Sequence, residues 1–309
     1  MNLNQENINS FINKYISFAD SLSKEMNYNN NIRHLLYVII PAFVCKYGVN
    51  NSSFILDCFK KVKIYIRNSE NKFVTASFNR RLIKNNCEYY TEKYIVINEF
   101  SLSSLSVIID NIVHEINHAI NSLNNEIIET DKYVKVRCGI AFLNYDKKNM
   151  KFVGKSEESA LEEILNTNQT EEVINIIKSF SNYKIDNQEL SLLIYNINRE
   201  IGNNDFVSDA YYYQKTICKS LINNKTFTPT INNLRFKGFV LDIPNLFDDI
   251  IGRENSYKRL NELLSNMHNY IIKYSNAKLF KNRYLNKIRS LTNDVNNLIL
   301  EYEKKCIFK

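Results

Sequence analysis

The chain has 309 residues, enough for one large domain or two smaller ones, and with 44% hydrophobic and 24% charged residues it is globular rather than disordered. Its formal net charge is +7, and only six glycines and three prolines interrupt it, so long regular helices are expected. No apolar run approaches the roughly 20 residues of a membrane span, and Met1–Ser10 is polar with no basic start and apolar core, so neither a transmembrane segment nor a secretory leader is expected.

Residues 2–26 place Ile8, Phe11, Ile12, Tyr15, Ile16 and Leu22 at helical spacing, and Asn27–Asn31 breaks that pattern. A buried helix follows over 32–47 despite Pro41, ended by Gly48, with a short one over 52–60. Then the period changes to two. Lys61–Arg67, part of Lys72–Phe78 and Tyr89–Asn98 predict three strands of a small twisted sheet.

Residues 104–120 form the stretch around which the chain is organised. Leu105, Ile108, Ile109, Ile112, Ile116 and Ile120 recur at the spacing of a helix with one buried face, and beside them lies a His-Glu-x-x-His pattern at His114, Glu115 and His118. Histidines four apart leave the same side of a helix and can converge on one ion. Glu115, turned by about 100° from His114, stands where a base for water would stand rather than a ligand.

Beyond the motif, Tyr133–Asn144 and Met150–Val153 read as two strands joined by a polar turn at Asp146–Asn149. Ser156 is a natural N-cap for a helix carrying four candidate carboxylates, Glu157, Glu158, Glu162 and Glu163. From Glu171 on the pattern is helical: 171–181, 188–201, 206–222, 245–251, 254–275 and 282–304, the last two predicted as an antiparallel hairpin. Asn223–Pro244, with Pro229, Gly238 and Pro244, reads as a linker.

A metzincin would need a glycine and a third histidine where this chain has Asn121 and Asn124, so that class is excluded. Over about residues 90–170 the chain instead resembles the thermolysin-like gluzincins, zinc peptidases whose glutamate helix carries Asn-Glu followed two residues later by Ser-Asp. The resemblance implies zinc as cofactor, a peptide or protein as substrate, Glu163 as third ligand and Thr167 on the position of the carboxylate that orients a ligand. Glu162 stands where the family has Asn. It also implies an edge strand that pairs with extended substrate, for which Tyr94–Asn98 is the candidate, and a hydroxyl or imidazole to stabilise the oxyanion. Tyr212 and Tyr213 are the leading candidates for that donor, with Tyr211, Tyr145, His268 and His34 behind them; Asn111 and Asn117 flank the histidines and are placed to orient them.

The implied fold class is α+β, mostly α: N-terminal helices over 1–60, a zincin-like core over 61–170, and a helical region over 171–309 with a subdomain boundary at 223–244. Six cysteines without a Cys-x-x-Cys pair read as free thiols in a reducing compartment and hence a cytoplasmic protein. Arg253 to Lys309 holds 12 basic and 5 acidic residues, while residues 1–252 carry 28 of each. The positive excess of that last fifth suits an anionic partner, and the lack of an Arg-rich run or nucleic-acid motif argues against nucleic acid. A zinc-binding regulatory protein that docks through this basic surface, with little or no turnover, is the alternative to a peptidase.

Overall fold

The computed structural model describes residues 5–68, 75–86, 88–99, 102, 104–153, 159–203 and 212–307. In chain order its elements begin with α1 (Gln5–Met26), α2 (Asn30–Tyr47), α3 (Ser52–Lys61), β1 (Val62–Arg67), β2 (Ala76–Asn85), β3 (Glu88–Asn98) and α4 (Leu105–Ile120). They continue with β4 (Ile127–Glu129), β5 (Tyr133–Cys138), β6 (Ala141–Asp146), β7 (Lys151–Val153) and α5 (Ser159–Ser179). Last come α6 (Gln188–Asn203), α7 (Tyr212–Ile217), α8 (Lys219–Ile222), α9 (Phe227–Lys237), α10 (Ile243–Ile251), α11 (Ser256–Asn276) and α12 (Lys281–Ile307). The fold is α+β and mostly α, as the composition implies. No single helix among the described residues is long and apolar enough to cross a membrane.

The chain divides into two compact units, residues 1–120 with 169–208, and residues 121–168 with 209–309. That division follows a different line from the partition at 60 and 170 expected above. One of its breaks, between 168 and 169, falls inside α5, which runs unbroken from Ser159 to Ser179.

In the first unit α1 packs on α2, whose residues Leu35 to Val44 are all buried. Asn29 caps α2 by accepting the Ile32 N–H at 2.9 Å. The sheet has the order β1-β3-β2, with β3 parallel to β1 and antiparallel to β2. Ile95 and Ile97 of β3 are fully buried, and α4 packs against β2 and β3. The expected role of Tyr94–Asn98 as a substrate-pairing edge is therefore corrected: β3 is the central strand, with its backbone groups taken on both sides. β1 and β2 are the edges.

The second unit holds an antiparallel sheet of order β4-β5-β6-β7. Two expectations are revised there. The stretch 133–144 is two strands, because Gly139 turns the chain with φ +60° and Cys138 pairs back with Ala141. The supposed linker 223–244 contains α9: Pro229 sits in its first turn, where no N–H partner is needed, Gly238 caps it in the left-handed region at φ +82°, and Pro244 opens α10. The residues read as breakers are start and stop signals. The turn at Asp146–Asn149 joins β6 to β7 as expected, with Asp146 accepting the N–H groups of Lys148 and Asn149 at 2.8 and 3.0 Å. Those bonds, from Asn149 first, hold its carboxyl below the usual range. α11 packs on α12 through Leu260, Leu264 and Met267 with Val295, Leu298 and Tyr302.

Candidate metal centre

On α4 the side chains of Ile108, Ile109, Ile112, Val113, Ile116 and Ile120 are buried. So much buried apolar surface fixes the rotation of the helix, and with it the direction of the motif side chains between those residues. His118 and Glu115 are buried at 4% and 8% exposure, and His114 is half-buried. The two imidazoles stand 4.9 Å apart between ring centroids with an interplanar angle of 78°.

The C-terminal half of α5 is fastened to α4 by the fully buried Asn117, whose Nδ2 donates to Thr170 Oγ1 at 3.2 Å while its Oδ1 accepts from the Tyr47 hydroxyl at 3.4 Å. Lys46 adds a bond to the Gln169 carbonyl at 3.3 Å and an ion pair with Glu172. Glu163 lies about two helical turns before Thr170, on the same face of a continuous helix. His114, His118 and Glu163 each offer one donor atom, and these atoms all lie within 4.8 Å of one another.

The donors fit zinc. Two imidazole nitrogens and a carboxylate oxygen are a set that zinc takes while keeping a fourth position open. At bond lengths of about 2.1 Å tetrahedral donors stand roughly 3.4 Å apart, so side-chain shifts of under about 1 Å each would close the set around an ion.

No family model, curated protein or solved structure matches the chain. Among the described carboxylates of α5 only Glu163 joins the histidines. Glu162 is 1% exposed and accepts from Arg235 through Nε at 3.0 Å and through Nη2, and from the Ile140 N–H at 2.8 Å. Glu157 and Glu158 lie outside the described residues.

Sequence reasoning missed the group that holds Glu162. Arg235 and Arg137 are both fully buried. Arg137 donates to the carbonyls of Asn121, Asn124, Gly139 and Arg235. Burial pushes its guanidinium down to about 10 against the opposing pull of Glu162, which leaves it cationic at neutral pH. The spacing of Phe227, Ile231 and Arg235, which share one face of α9, carries a signal that Pro229 and Gly238 mask.

The remaining candidates sit as follows. Asn111 accepts from the Thr75 hydroxyl at 3.0 Å, and its buried Nδ2 has no hydrogen-bond partner. Thr167 is buried one turn beyond Glu163, yet its hydroxyl makes no hydrogen bond, so the orienting bond expected of it is not formed. Tyr213 is 41% exposed and its hydroxyl pairs with Thr292 Oγ1 at 3.1 Å on α12. Tyr212 opens α7, and Tyr211 lies outside the described residues. Tyr145 packs edge-on against Phe152 at 5.4 Å, His268 pairs with Gln214 at 3.3 Å, and His34 pairs with Glu189 at 3.0 Å.

Proposed function

We propose that the chain is a zinc-dependent peptidase of gluzincin type. The observation that carries this reading is the convergence of one donor atom each from His114, His118 and Glu163, with Glu115 buried on the same helix next to His114. A bound zinc ion would supply a Lewis acid for the scissile carbonyl and make a coordinated water more acidic. Glu115 takes the proton of the attacking water and returns it to the leaving amine nitrogen. Asn111, held at its Oδ1 by Thr75, offers its Nδ2 to substrate or to a ligating side chain. An extended substrate pairs with β2, the edge strand on the side of the sheet that α4 contacts. The packing of the motif helix on the small sheet of β2 and β3 supports the reading of a zincin-like core.

Tyr213, with its hydroxyl bonded to Thr292, favours a second reading, a zinc-binding regulatory protein with little turnover. One pair of measurements separates the two. Protein purified without chelator is expected to carry about one zinc per chain, and below about 0.2 both readings fail. Wild type is expected to cleave peptides in a broad library while Glu115→Gln does not. Equal inertness of the two at full zinc loading removes the peptidase and leaves the regulatory protein.

A further inference from the structure

The tip of the α11–α12 hairpin combines features that no part of the proposed metal centre uses. Leu279 and Phe280, adjacent in the connection, are 72% and 74% exposed. Phe280 has φ +61°, a left-handed conformation that a bulky residue adopts only at an energetic cost. The last fully buried core residue of α11 is Met267, and on α12 burial resumes at Ile288. Between them only partly buried side chains, Tyr270, Ile271 and Tyr274, reach back to the core, and the turn at 279–280 stands clear of it.

Charge is sorted there as well. Residues 263–293 contain Lys273, Lys278, Lys281, Arg283, Lys287 and Arg289 and no acidic residue. Among the described residues none of these six has an ion-pair partner. Lys273 and Lys281 lie over the rings of Tyr270 and Tyr274 at 5.2 and 5.5 Å, and Tyr270 meets Tyr284 at 6.4 Å between ring centroids. At the end stand two bare apolar side chains, and behind them cations and half-buried tyrosines alternate along both helices.

We infer that this tip is a docking site for an anionic phospholipid surface, with Leu279 and Phe280 entering the headgroup region. Large apolar side chains at a protruding turn gain by leaving water for the acyl boundary, and tyrosines suit the interface because one end of the ring is apolar and the other wet. Six unpaired cations around them match the negative potential of a bilayer containing acidic lipids. A folded protein or nucleic acid would match the charge, but neither explains why two large apolar side chains stand bare at the turn.

The test uses full-length protein with vesicles of phosphatidylcholine alone or with about 30% phosphatidylserine. Wild type is expected to co-sediment with the acidic vesicles and not the neutral ones, and to dissociate in about 0.5 M salt. Leu279→Ser/Phe280→Ser keeps every charge and removes only exposed apolar groups, so it folds; its vesicle affinity is expected to fall at least about tenfold. The chain contains no Trp, so Phe280→Trp gives a single reporter whose emission should shift to the blue on acidic vesicles. No sedimentation with acidic vesicles at low salt overturns the inference. So does wild-type affinity in the double Ser variant, an unshifted Trp, or binding to single-stranded RNA tighter than to the vesicles. None of these measurements involves zinc, so their outcome is independent of the proposed peptidase.

Discussion

Neighbouring glutamates on α5 should fail in opposite ways when each is replaced by Gln. The Glu162 side chain is 2% exposed and its partner Arg235 0%, with the carboxylate taking two guanidinium bonds and the Ile140 N–H. Removing one charge of a buried pair costs about 3–5 kcal/mol, because the other is left uncompensated. Gln keeps an acceptor oxygen, so the lower end, about 3 kcal/mol, is expected in the metal-free protein. Glu163 is half-buried and joins the two histidines, so Glu163→Gln should leave metal-free stability within about 0.5 kcal/mol. It should weaken zinc binding by more than about 100-fold, beyond what loss of an outer orienting partner costs. Urea denaturation of stripped protein gives the first quantity, and zinc titration against a competing chromophoric chelator the second. The assignment is refuted if Glu163→Gln binds zinc like wild type, or if Glu162→Gln loses zinc with its stability untouched.

Three other perturbations probe the surroundings. Gly139→Ala puts a Cβ within 1.9 Å of the Glu162 carboxylate at φ +60°, so a loss of over about 2 kcal/mol is expected in urea, from the left-handed backbone and the displaced ion pair; wild-type stability would contradict the geometry. The Tyr28 hydroxyl accepts from the Ile64 N–H at 3.0 Å and donates to the Val62 carbonyl at 3.3 Å, so Tyr28→Phe should cost about 1–2 kcal/mol at pH 7. Burial pushes that hydroxyl up from 10.0 to about 12. A raised folded-state pKa stabilises fully below pH 10 and loses that effect as pH rises through about 12, so the gap between wild type and variant should narrow over that window. A gap independent of pH would show that burial does not raise the hydroxyl's pKa. Cys58 and Cys218 are fully buried, and burial pushes the Cys218 thiol up to about 12. Iodoacetamide at pH 8 should leave both intact in native protein by mass spectrometry; modification at the rate of a free thiol would show that they are accessible.

The fold was readable wherever periodicity alone decides it. α2 is apolar on nearly every face and so had to be buried, and the switch of period at Lys61 marked β1 within a residue. The reading failed where punctuation was ambiguous. Gly139 sits in an apolar run that looks like one strand, and only the left-handed turn, with the Glu162 carboxylate packed where a side chain would be, explains why it is glycine. Pro229, Gly238 and Pro244 suggest a linker by number, but each suits a particular helix end: the prolines the first turns of α9 and α10, the glycine the end of α9. Strand order was beyond a single sequence altogether. β3 became central because β1 pairs with it in parallel, a long-range choice that leaves no local trace.

At the site the histidines were legible because their spacing is a property of one helix, and helix geometry is the same everywhere. The choice between Glu162 and Glu163 was not, since both are acidic, adjacent and near the start of α5. What separates them is the partner each meets: for Glu162 an arginine 73 residues away on α9, for Glu163 the two histidines of α4. Adjacent positions on a helix differ by about 100° in direction, so anchoring Glu162 on Arg235 also fixes which way Glu163 points. The buried pair is a costly way to gain stability, since well-packed apolar residues would do at least as well. Its value is directional: an apolar contact tolerates rotation of α5, whereas a two-pronged guanidinium bond does not.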